Sequence, residues 1–324
     1  MKKALQLLNK IQHGGGENVA MNYAKVLREL GVESVFIGKR TSAEYEAQIS
    51  TVGTIQETLR FSDIRTADYL FVHTNKNLLK LFFLYLIPLK VMRKKVFYLQ
   101  HLQFPEKKFR LLAFFINAVC TDFIQITPIT KTLVDKYINI RKRFIVNFYI
   151  SRYNKADYPS IRNSVRAELE IPEDKILVMF SAVFKPGKGL GDFLEVAARF
   201  AGRQAYYFLL IGDGPEAEMA RQYKFPNLKW VGFVNDVEKY LIASDVYFFS
   251  SVFKQEMLPM ALVEAINAEK KIIAYNTAIN HFLLEGHTCE SIQEMEAALL
   301  DQGGAKTFPH FDKQYALGKI GEII

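Results

Sequence analysis

Two glutamates, Glu256 and Glu264, stand eight positions apart behind a hydrophobic segment, residues 245–249. That segment predicts a buried strand, and Pro259 fits the first turn of a helix, where its missing N–H would have no intrahelical partner. Glu256 then lies in the loop after the strand, and Glu264 lies about one turn inside the helix. Both carboxylates therefore stand at the carboxyl end of a parallel strand, where open α/β sheets bind ligands.

The start of the same helix favours an anion. The backbone N–H groups of Met260 and Ala261 have no acceptor within a helix that starts at Pro259, and such groups bind phosphate. Two carboxylates that accept hydrogen bonds from hydroxyl groups, on either side of an anion site, suit a sugar nucleotide. Acids eight apart also occur by chance, and Glu256 would then be a solvated loop residue and Glu264 a surface residue of a helix.

Glycines follow two other predicted strands. The run His-Gly-Gly-Gly at 13–16 lies between the first strand and the first helix, and the backbone of Gly15 and Gly16 can approach a ligand closely. The run equally suits a flexible turn that begins a helix, because it lacks the GxGxxG spacing of a dinucleotide-binding loop. A second turn, Gly-Asp-Gly-Pro-Glu, begins at Gly212, where Asp213 suits helix capping as well as ligand contact.

Lysines and histidines also follow predicted strands. Lys188 precedes a glycine and the start of a helix, where its charge can stabilise a leaving diphosphate, and Lys185 is close by in the same loop. His73 and His101 can hydrogen-bond a sugar hydroxyl, although a structural histidine is the default interpretation for both. The histidines and cysteines show no metal-ligand spacing, so no metal site is predicted.

Together these segments resemble the retaining glycosyltransferases of family 4, the glycosyl transferases group 1. The two glutamates resemble that family's Glu-x7-Glu signature, residues 13–16 its glycine-rich first loop, Lys188 its phosphate-binding lysine and Gly212 onward its strand-end turn. The resemblance implies an α/β protein with the GT-B fold, in which two Rossmann-like domains face each other across a cleft. It also implies a metal-independent hexosyltransferase that needs no cofactor, uses a nucleotide-diphosphate sugar and retains the anomeric configuration.

The resemblance gives roles to individual residues. The catalytic set is Lys188 at the diphosphate, Glu256 at the sugar and His101 near the reaction centre, and Glu264 would bind the ribose. The donor-binding set consists of Gly15, Gly16, Lys185, Lys188, Gly212, Met260, Ala261 and Glu264.

One position departs from the family pattern. The family usually has Gly-Arg early in the lysine loop, and this chain has Ala182 and Val183 there. One of the two usual phosphate cations is therefore missing, and Lys185 is the candidate to replace it. If Lys185 does not, the protein is a weak donor binder or a non-catalytic GT-B partner subunit. A nucleotide-sugar epimerase of the same fold is a further alternative, but no second set of carboxylates supports it.

Composition favours two ordinary domains in a reducing compartment. The chain has 324 residues, of which 50% are hydrophobic, and this is enough for two cores. The two cysteines are far apart and suit free thiols. No secretion signal is predicted, and the longest apolar stretch, residues 78–92, is too short for a membrane span. We expect a cytoplasmic protein, soluble or peripheral on the inner face of the plasma membrane.

Positive charge is concentrated in the first half. Residues 1–155 carry a net charge of +14 and the remainder −6. Residues 76–110 interleave nine lysines and arginines with seven aromatic residues, which suits an anionic membrane surface and a glycan or polyprenyl-linked acceptor. A solvated basic face over core aromatics is the alternative. No nucleic-acid-binding motif accompanies the charge, so no nucleic-acid partner is expected.

Strand-like and helix-like segments alternate along the chain, which indicates parallel α/β sheets. We expect an acceptor-side Rossmann-like domain over 1–152, a nucleotide-sugar-binding Rossmann-like domain over 153–308, and a final helix within 309–324 that returns to the first domain. Strands are predicted near 4–8, 33–37, 68–72, 95–99, 122–126, 143–147, 176–181, 206–211, 228–231, 245–249 and 271–274.

Overall fold

The computed structural model describes the chain apart from Met1, His13, residues 254–256 and Gln302. The chain divides into two compact units. The first contains the residues up to Ile150 and the final segment Phe311–Ile324, and the second contains most residues from Ser151 to His310. Among the described residues, 257–260 also group with the first unit.

The described residues of the first unit form a seven-stranded parallel sheet. Its strands are β1 (Lys2–Ile11), β2 (Val32–Arg40), β3 (Gly53–Gln56), β4 (Tyr69–Val72), β5 (Lys95–Leu99), β6 (Asp122–Gln125) and β7 (Arg141–Phe144). They pair in the order β3-β2-β1-β4-β5-β6-β7. The helices between them are α1 (Gly15–Glu29), α2 (Ala43–Ser50), α3 (Phe61–Thr66), α4 (Asn75–Val91), α5 (Glu106–Val119) and α6 (Lys131–Tyr137).

Alternating apolar side chains place helices on both faces of this sheet. Leu5 and Leu7 of β1 pack in one cluster with residues of α3, α4 and α5. Leu8 and Phe36 pack in another cluster with residues of α1 and α2. Because successive side chains of a strand point to opposite faces, the apolar runs of β1 and β2 supply both clusters.

The second unit is built on a five-stranded parallel sheet. Its strands are β8 (Ile176–Ser181), β9 (Tyr206–Ile211), β10 (Leu228–Trp230), β11 (Val246–Phe249) and β12 (Lys271–Ala274), in the order β10-β9-β8-β11-β12. The helices of this part of the chain are α7 (Tyr158–Glu168), α8 (Leu190–Arg199), α9 (Ala217–Arg221), α10 (Val237–Ala243), α11 (Met260–Asn267), α12 (Ala278–Leu283) and α13 (Ile292–Leu300). In each sheet the strand order reverses beside the first strand, and such reversal points are where open α/β sheets bind ligands.

The final helix, α14 (Lys313–Gly321), packs on the first unit. The ammonium group of Lys313 pairs with Glu29 of α1 at 2.6 Å. The hydroxyl of Tyr315 accepts a hydrogen bond from the Val146 N–H at 2.8 Å, and the Tyr69 hydroxyl donates to the carbonyl oxygen of Ile324 at 2.8 Å. Hydrogen bonds and an ion pair therefore hold the end of the chain against α1, β4 and the segment after β7.

Three further observations bear on function. Among the described residues, no helix combines the length and apolar character needed to cross a membrane. No group of three or more metal-ligating side chains occurs in the part of the chain that the structure describes. Cys120 is buried and Cys289 half-buried, and both are free thiols.

Candidate functional site

Glycines begin α1 beside a histidine. Gly14 is the N-cap of α1, and the helix begins at Gly15, where an added Cβ atom would meet nothing within 4 Å. A Cβ atom added to Gly16 would lie 3.7 Å from Cδ2 of His101. His13 lies outside the described residues. The structure therefore brings Gly16 and His101 together at the carboxyl ends of β1 and β5.

His101 also contacts His73. Nδ1 of His73 lies 3.0 Å from Nε2 of His101, and the two rings are stacked. Nε2 of His73 lies 2.8 Å from Oε1 of Gln6, a fully buried residue of β1. Burial lowers the pKa of His101 to about 4, and burial and the neighbouring His101 hold the pKa of His73 well below its usual value. Both imidazoles are therefore neutral near pH 7.

The hydrogen bonds set the tautomers of the two rings. With Oε1 of Gln6 as acceptor, His73 donates from Nε2 and accepts at Nδ1 from the N–H of His101 Nε2. Nδ1 of His101 is then its lone-pair nitrogen. If the Gln6 amide is rotated by half a turn, its NH₂ group donates to His73, and His73 in turn donates to His101. The direction of both hydrogen bonds is then reversed, but the same three side chains remain connected. In either state Nδ1 of His101 belongs to a neutral ring and is able to donate or accept one hydrogen bond.

The loop between β8 and α8 is fixed against the segment after β11. Gly189 is the N-cap of α8 with a φ of 83°, and a Cβ atom there would lie 2.3 Å from the carbonyl oxygen of Ser250. The Ser250 hydroxyl donates to the carbonyl oxygen of Gly189 at 2.7 Å, and the Val252 N–H donates to that of Gly187 at 2.9 Å. Space and backbone conformation therefore both require glycine at position 189.

Lys185 and Lys188 share an aromatic neighbour in this loop. Their ammonium nitrogens lie 4.3 and 5.2 Å from the centre of the Phe253 ring. Both lysines are partly buried, and both precede the N-terminus of α8. Two cations above one ring, next to the positive end of a helix dipole, concentrate positive charge as a phosphate site does.

The glycine turn after β9 packs on the beginning of the same loop. Gly212 has a φ of 128°, and a Cβ atom there would lie 1.9 Å from the carbonyl oxygen of Ala182. The Phe184 N–H donates to the carbonyl oxygen of Asp213 at 2.9 Å. The Asp213 carboxylate accepts from the Gly214 N–H at 2.7 Å, whereas the N-cap of α9 is Glu216. Gly212 therefore positions the lysine loop, and Asp213 stabilises its own turn and does not cap α9.

Glu264 lies in the second turn of α11 and is partly buried. Burial raises its pKa to about 8, the negative charge of Glu238 adds to the rise, and Arg152 opposes it. Glu238 in α10 accepts hydrogen bonds from the Ser151 hydroxyl and from the Arg152 N–H at 3.0 Å. At neutral pH the Glu264 carboxyl is therefore mostly protonated, and it can donate a hydrogen bond as well as accept one.

The remaining predicted residues lie beside the segment that is not described. Glu256 itself is outside the described residues. Met260 is the first residue of α11 and Ala261 the second, so their N–H groups lie in the first turn of the helix, where no intrahelical acceptor is in reach. α11 thus begins one residue later than the sequence predicts, immediately after Pro259.

Sequence reasoning missed three features that shape the site. Gln6 is a polar side chain within the apolar run of β1, and that exception was the available signal. Phe253 lies under both lysines, but one aromatic residue in a loop carries no signal of its own. The pairing of Glu238 with Ser151 and Arg152 joins residues more than 80 positions apart, which spacing alone does not reveal.

Comparison with known proteins bears on the family and the fold. Residues 161–284 match the model of the family Glycosyl transferases group 1. No curated protein is significantly similar to the chain in sequence. The structure resembles HepE of Anabaena, with a TM-score of 0.75, 17% identity and 99% of each chain covered.

Two other solved structures are similar over most of the chain. A glycosyltransferase from Rickettsia africae ESF-5 has a TM-score of 0.71 and 14% identity, with 99% of this chain and 97% of that chain covered. WaaG, a glycosyltransferase involved in lipopolysaccharide biosynthesis, has a TM-score of 0.60 and 16% identity, with 91% of this chain and 89% of that chain covered.

The chain has the GT-B fold. The two Rossmann-like units that the sequence predicts are present, and the expectation of fold class is confirmed. The segment that matches the family model runs from α7 to α12. It contains both lysines, the glycine turn and Glu264, so the candidate residues of the second unit lie within the matched part.

Proposed function

We propose that this protein is a glycosyltransferase that moves a hexose from a nucleotide-diphosphate sugar to a glycan or polyprenyl-linked acceptor, with retention at the anomeric carbon. The observation that carries the proposal is the pair Lys185 and Lys188 beside the glycine N-cap of α8, within the segment that matches the group 1 family. Solved structures of HepE, which has the same fold, contain UDP and UDP-glucose. UDP-glucose is therefore the first donor to test.

The proposed transfer exchanges one bond for another at the anomeric carbon. The bond from that carbon to the diphosphate breaks, the oxygen of the acceptor hydroxyl bonds to the carbon, and the hydroxyl proton leaves with the diphosphate. Lys185 and Lys188 stabilise the negative charge that develops on the diphosphate, which is the largest electrostatic demand of the reaction. The N–H groups of Met260 and Ala261 add to this stabilisation.

The other residues of the set bind the two ends of the donor. Glu264 binds the ribose, and its protonated carboxyl donates to one ribose oxygen. His101 hydrogen-bonds the sugar through its neutral ring, with Gly16 giving the ligand room beside it. We assign Glu256 to the hexose from its place in the sequence alone.

We further propose that the reaction needs neither a metal nor a cofactor, because lysines and helix N-termini neutralise the diphosphate. Incubation with UDP-glucose and a membrane extract, with and without EDTA, tests this directly. We expect equal consumption of donor in both, and NMR of the product should show the anomeric configuration of the donor. Loss of activity in EDTA removes metal independence, and an inverted product removes retention.

A non-catalytic GT-B partner subunit is the second candidate function. The observation in its favour is the pair Ala182 and Val183, which leaves the lysine loop without an arginine. Such a subunit would bind UDP-glucose weakly and consume none of it in the presence of any membrane extract. Donor binding without turnover therefore separates this candidate from an active transferase.

The proposed setting is the cytoplasm, in polysaccharide biosynthesis, with the first unit in peripheral contact with an anionic membrane that carries the acceptor. The basic first half supports this setting through its net charge of +14.

A further inference from the structure

The outer faces of α4 and α5 expose large apolar side chains. Phe83, Ile87 and Val91 of α4 are 71%, 76% and 75% exposed, and Phe114 of α5 is 60% exposed. Leu84 and Leu111 are exposed beside them. Contiguous apolar surface of this kind marks an interaction site on a soluble protein.

Aromatic contacts join the two helices into one surface. The ring of Phe82 lies 6.0 Å from that of Phe114 and 5.0 Å from that of Phe115, and Phe83 lies 6.4 Å from Phe115. The inner sides of both helices pack in the core of the first unit through residues such as Leu81 and Phe109. The apolar outer sides therefore form one rigid surface, which we name the α4–α5 face.

Cations share this face with the apolar side chains. Lys76 and Lys90 stand seven residues before and seven after Phe83, and seven residues are close to two helical turns, so all three lie on one side of α4. By the same spacing Lys107 lies below Phe114 on α5. Glu106, the acid at the start of α5, is engaged by Lys136 at 2.7 Å and by the Tyr137 hydroxyl. The face therefore combines apolar surface with net positive charge.

We propose that the α4–α5 face docks on an anionic lipid surface, with Phe83, Ile87 and Phe114 inserted among the acyl chains and Lys76, Lys90 and Lys107 at the headgroups. Charge complementarity favours this occupant. A second copy of the chain meeting the same face would bring cations against cations, whereas anionic headgroups neutralise them. Helices that lie in a membrane interface have this same division of apolar and basic residues.

The structure also corrects the residues that sequence reasoning assigned to a membrane. Of the aromatic residues between 76 and 110, Phe97, Tyr98 and Phe109 are buried in the core. The lipid-facing set is instead Phe83 with aliphatic residues of α4 and residues of α5 beyond position 110. The inference deepens the proposed function by naming the membrane contact, but lipid binding does not depend on transfer activity.

Co-sedimentation of the full chain with vesicles tests the docking. We expect wild type to bind vesicles of phosphatidylcholine with phosphatidylglycerol, and to stay in solution with phosphatidylcholine alone. The triple variant F83Q/I87Q/F114Q should bind at least about tenfold more weakly, because three large apolar groups no longer insert. The matched control is Phe61→Gln, an exposed aromatic residue of α3, which should bind as wild type does.

A charge variant separates headgroup contact from insertion. The double variant K76Q/K107Q should lose about fivefold in affinity for each cation, while K224Q/K306Q, which removes the same charge from exposed positions of the second unit, should lose less than twofold in all. Equal binding of wild type and the triple variant would overturn the proposal, and so would a wild type that does not bind anionic vesicles.

A wild type that is dimeric in solution and becomes monomeric in the triple variant would show that a second copy of the chain occupies the face, which would also overturn the proposal. The thermal shift with UDP-glucose should be the same in all variants, so failure of docking and failure of donor binding are read separately.

Discussion

His73 and His101 form a hydrogen-bonded pair, with Nδ1 of the first 3.0 Å from Nε2 of the second, at the carboxyl ends of β4 and β5. Because Gln6 holds the far nitrogen of His73 at 2.8 Å, the orientation of His101 depends on a buried side chain of β1. The pair links the core of the first sheet to the glycines that begin α1, and its neutral state follows from burial.

The histidine pair predicts acid sensitivity. The folded-state pKa of each ring lies below its unfolded value, about 4 for His101, so the unfolded chain binds more protons as the pH falls from the usual histidine value towards 4. The stability that the two neutral histidines contribute is present above about pH 6.5 and is lost as the pH falls from 6.5 towards 4. Urea unfolding should show a smaller difference between pH 7 and pH 5 for His73→Asn than for wild type. An equal difference would show that the rings are not buried neutral.

Gln6→Leu should misplace His101 while leaving the second unit intact. Loss of the hydrogen bond to His73 should destabilise the fold by about 1–3 kcal/mol. If His101 contacts the sugar, kcat should fall about tenfold while KM for the donor changes less than twofold, and the conservative variant Gln6→Asn should recover part of kcat. Unchanged kcat in Gln6→Leu would leave the histidine pair a purely structural feature.

Glu264 predicts the opposite pH dependence. Its folded-state pKa of about 8 lies above the unfolded value, so the stability that the protonated carboxyl contributes is present below about pH 4.5 and is lost as the pH rises through 8. Glu264→Gln should therefore raise the unfolding free energy at pH 8.5 by about 2 kcal/mol, after allowance for its partial exposure, and change little at pH 4.5. Glu57→Gln, at an exposed position, is the control and should be neutral at both. Equal melting temperatures for Glu264→Gln and wild type at pH 8.5 would show that ionisation of the Glu264 carboxyl does not reduce the free energy of unfolding.

The two lysines predict a specific rescue. Lys185→Ala should weaken UDP-glucose binding by about tenfold, since a charge-assisted contact to phosphate is removed. Val183 is 60% exposed, and the resemblance implies an arginine at its position, so Val183→Arg in the Lys185→Ala background should restore most of the affinity. Lys224→Ala, an exposed lysine of the same unit, should bind as wild type does. Calorimetric titration measures all four, and a Lys185→Ala variant with full affinity would show that Lys185 does not replace the arginine.

Gly212 predicts a large effect from one added carbon. A Cβ atom there would lie 1.9 Å from the Ala182 carbonyl oxygen, in a backbone conformation that only glycine adopts easily. Gly212→Ala should destabilise the second unit by more than about 2 kcal/mol and weaken donor binding, because the lysine loop must move. Gly202→Ala, which meets nothing within 4 Å, is the matched control. Similar melting curves for the two variants would contradict the packing described for the turn.

Strong apolar patterns in the sequence predicted most of the fold. Every predicted strand has a counterpart, and the first helix, expected after the glycine run at 13–16, begins within that run, at Gly15. The strand Gly53–Gln56 was missed because it is an edge strand with no fully buried residue. Glycine at its start allows close approach to β2, where a Cβ atom would lie 2.5 Å from the carbonyl oxygen of Ser34.

The candidate site was predictable only where its residues are close in sequence. The place of Glu264 one turn inside α11 follows from Pro259 and the apolar run after it. The support of Lys185 and Lys188 by Phe253 joins segments more than 60 positions apart, and the burial that raises the pKa of Glu264 depends on tertiary packing. Neither the contact with Phe253 nor the burial of Glu264 produces a pattern of neighbouring residues in the sequence from which it could be predicted.

The central claim is that the lysine loop of the second unit binds the diphosphate of a nucleotide sugar. Thermal unfolding of wild type and Lys188→Ala with UDP-, GDP-, ADP- and TDP-sugars tests it most directly. At a hundred times its dissociation constant a ligand stabilises the folded state by about 2.7 kcal/mol, so we predict that at least one of the four raises the melting temperature of wild type by several degrees and leaves Lys188→Ala nearly unchanged. No shift with any of the four, or an equal shift in Lys188→Ala, would contradict the claim.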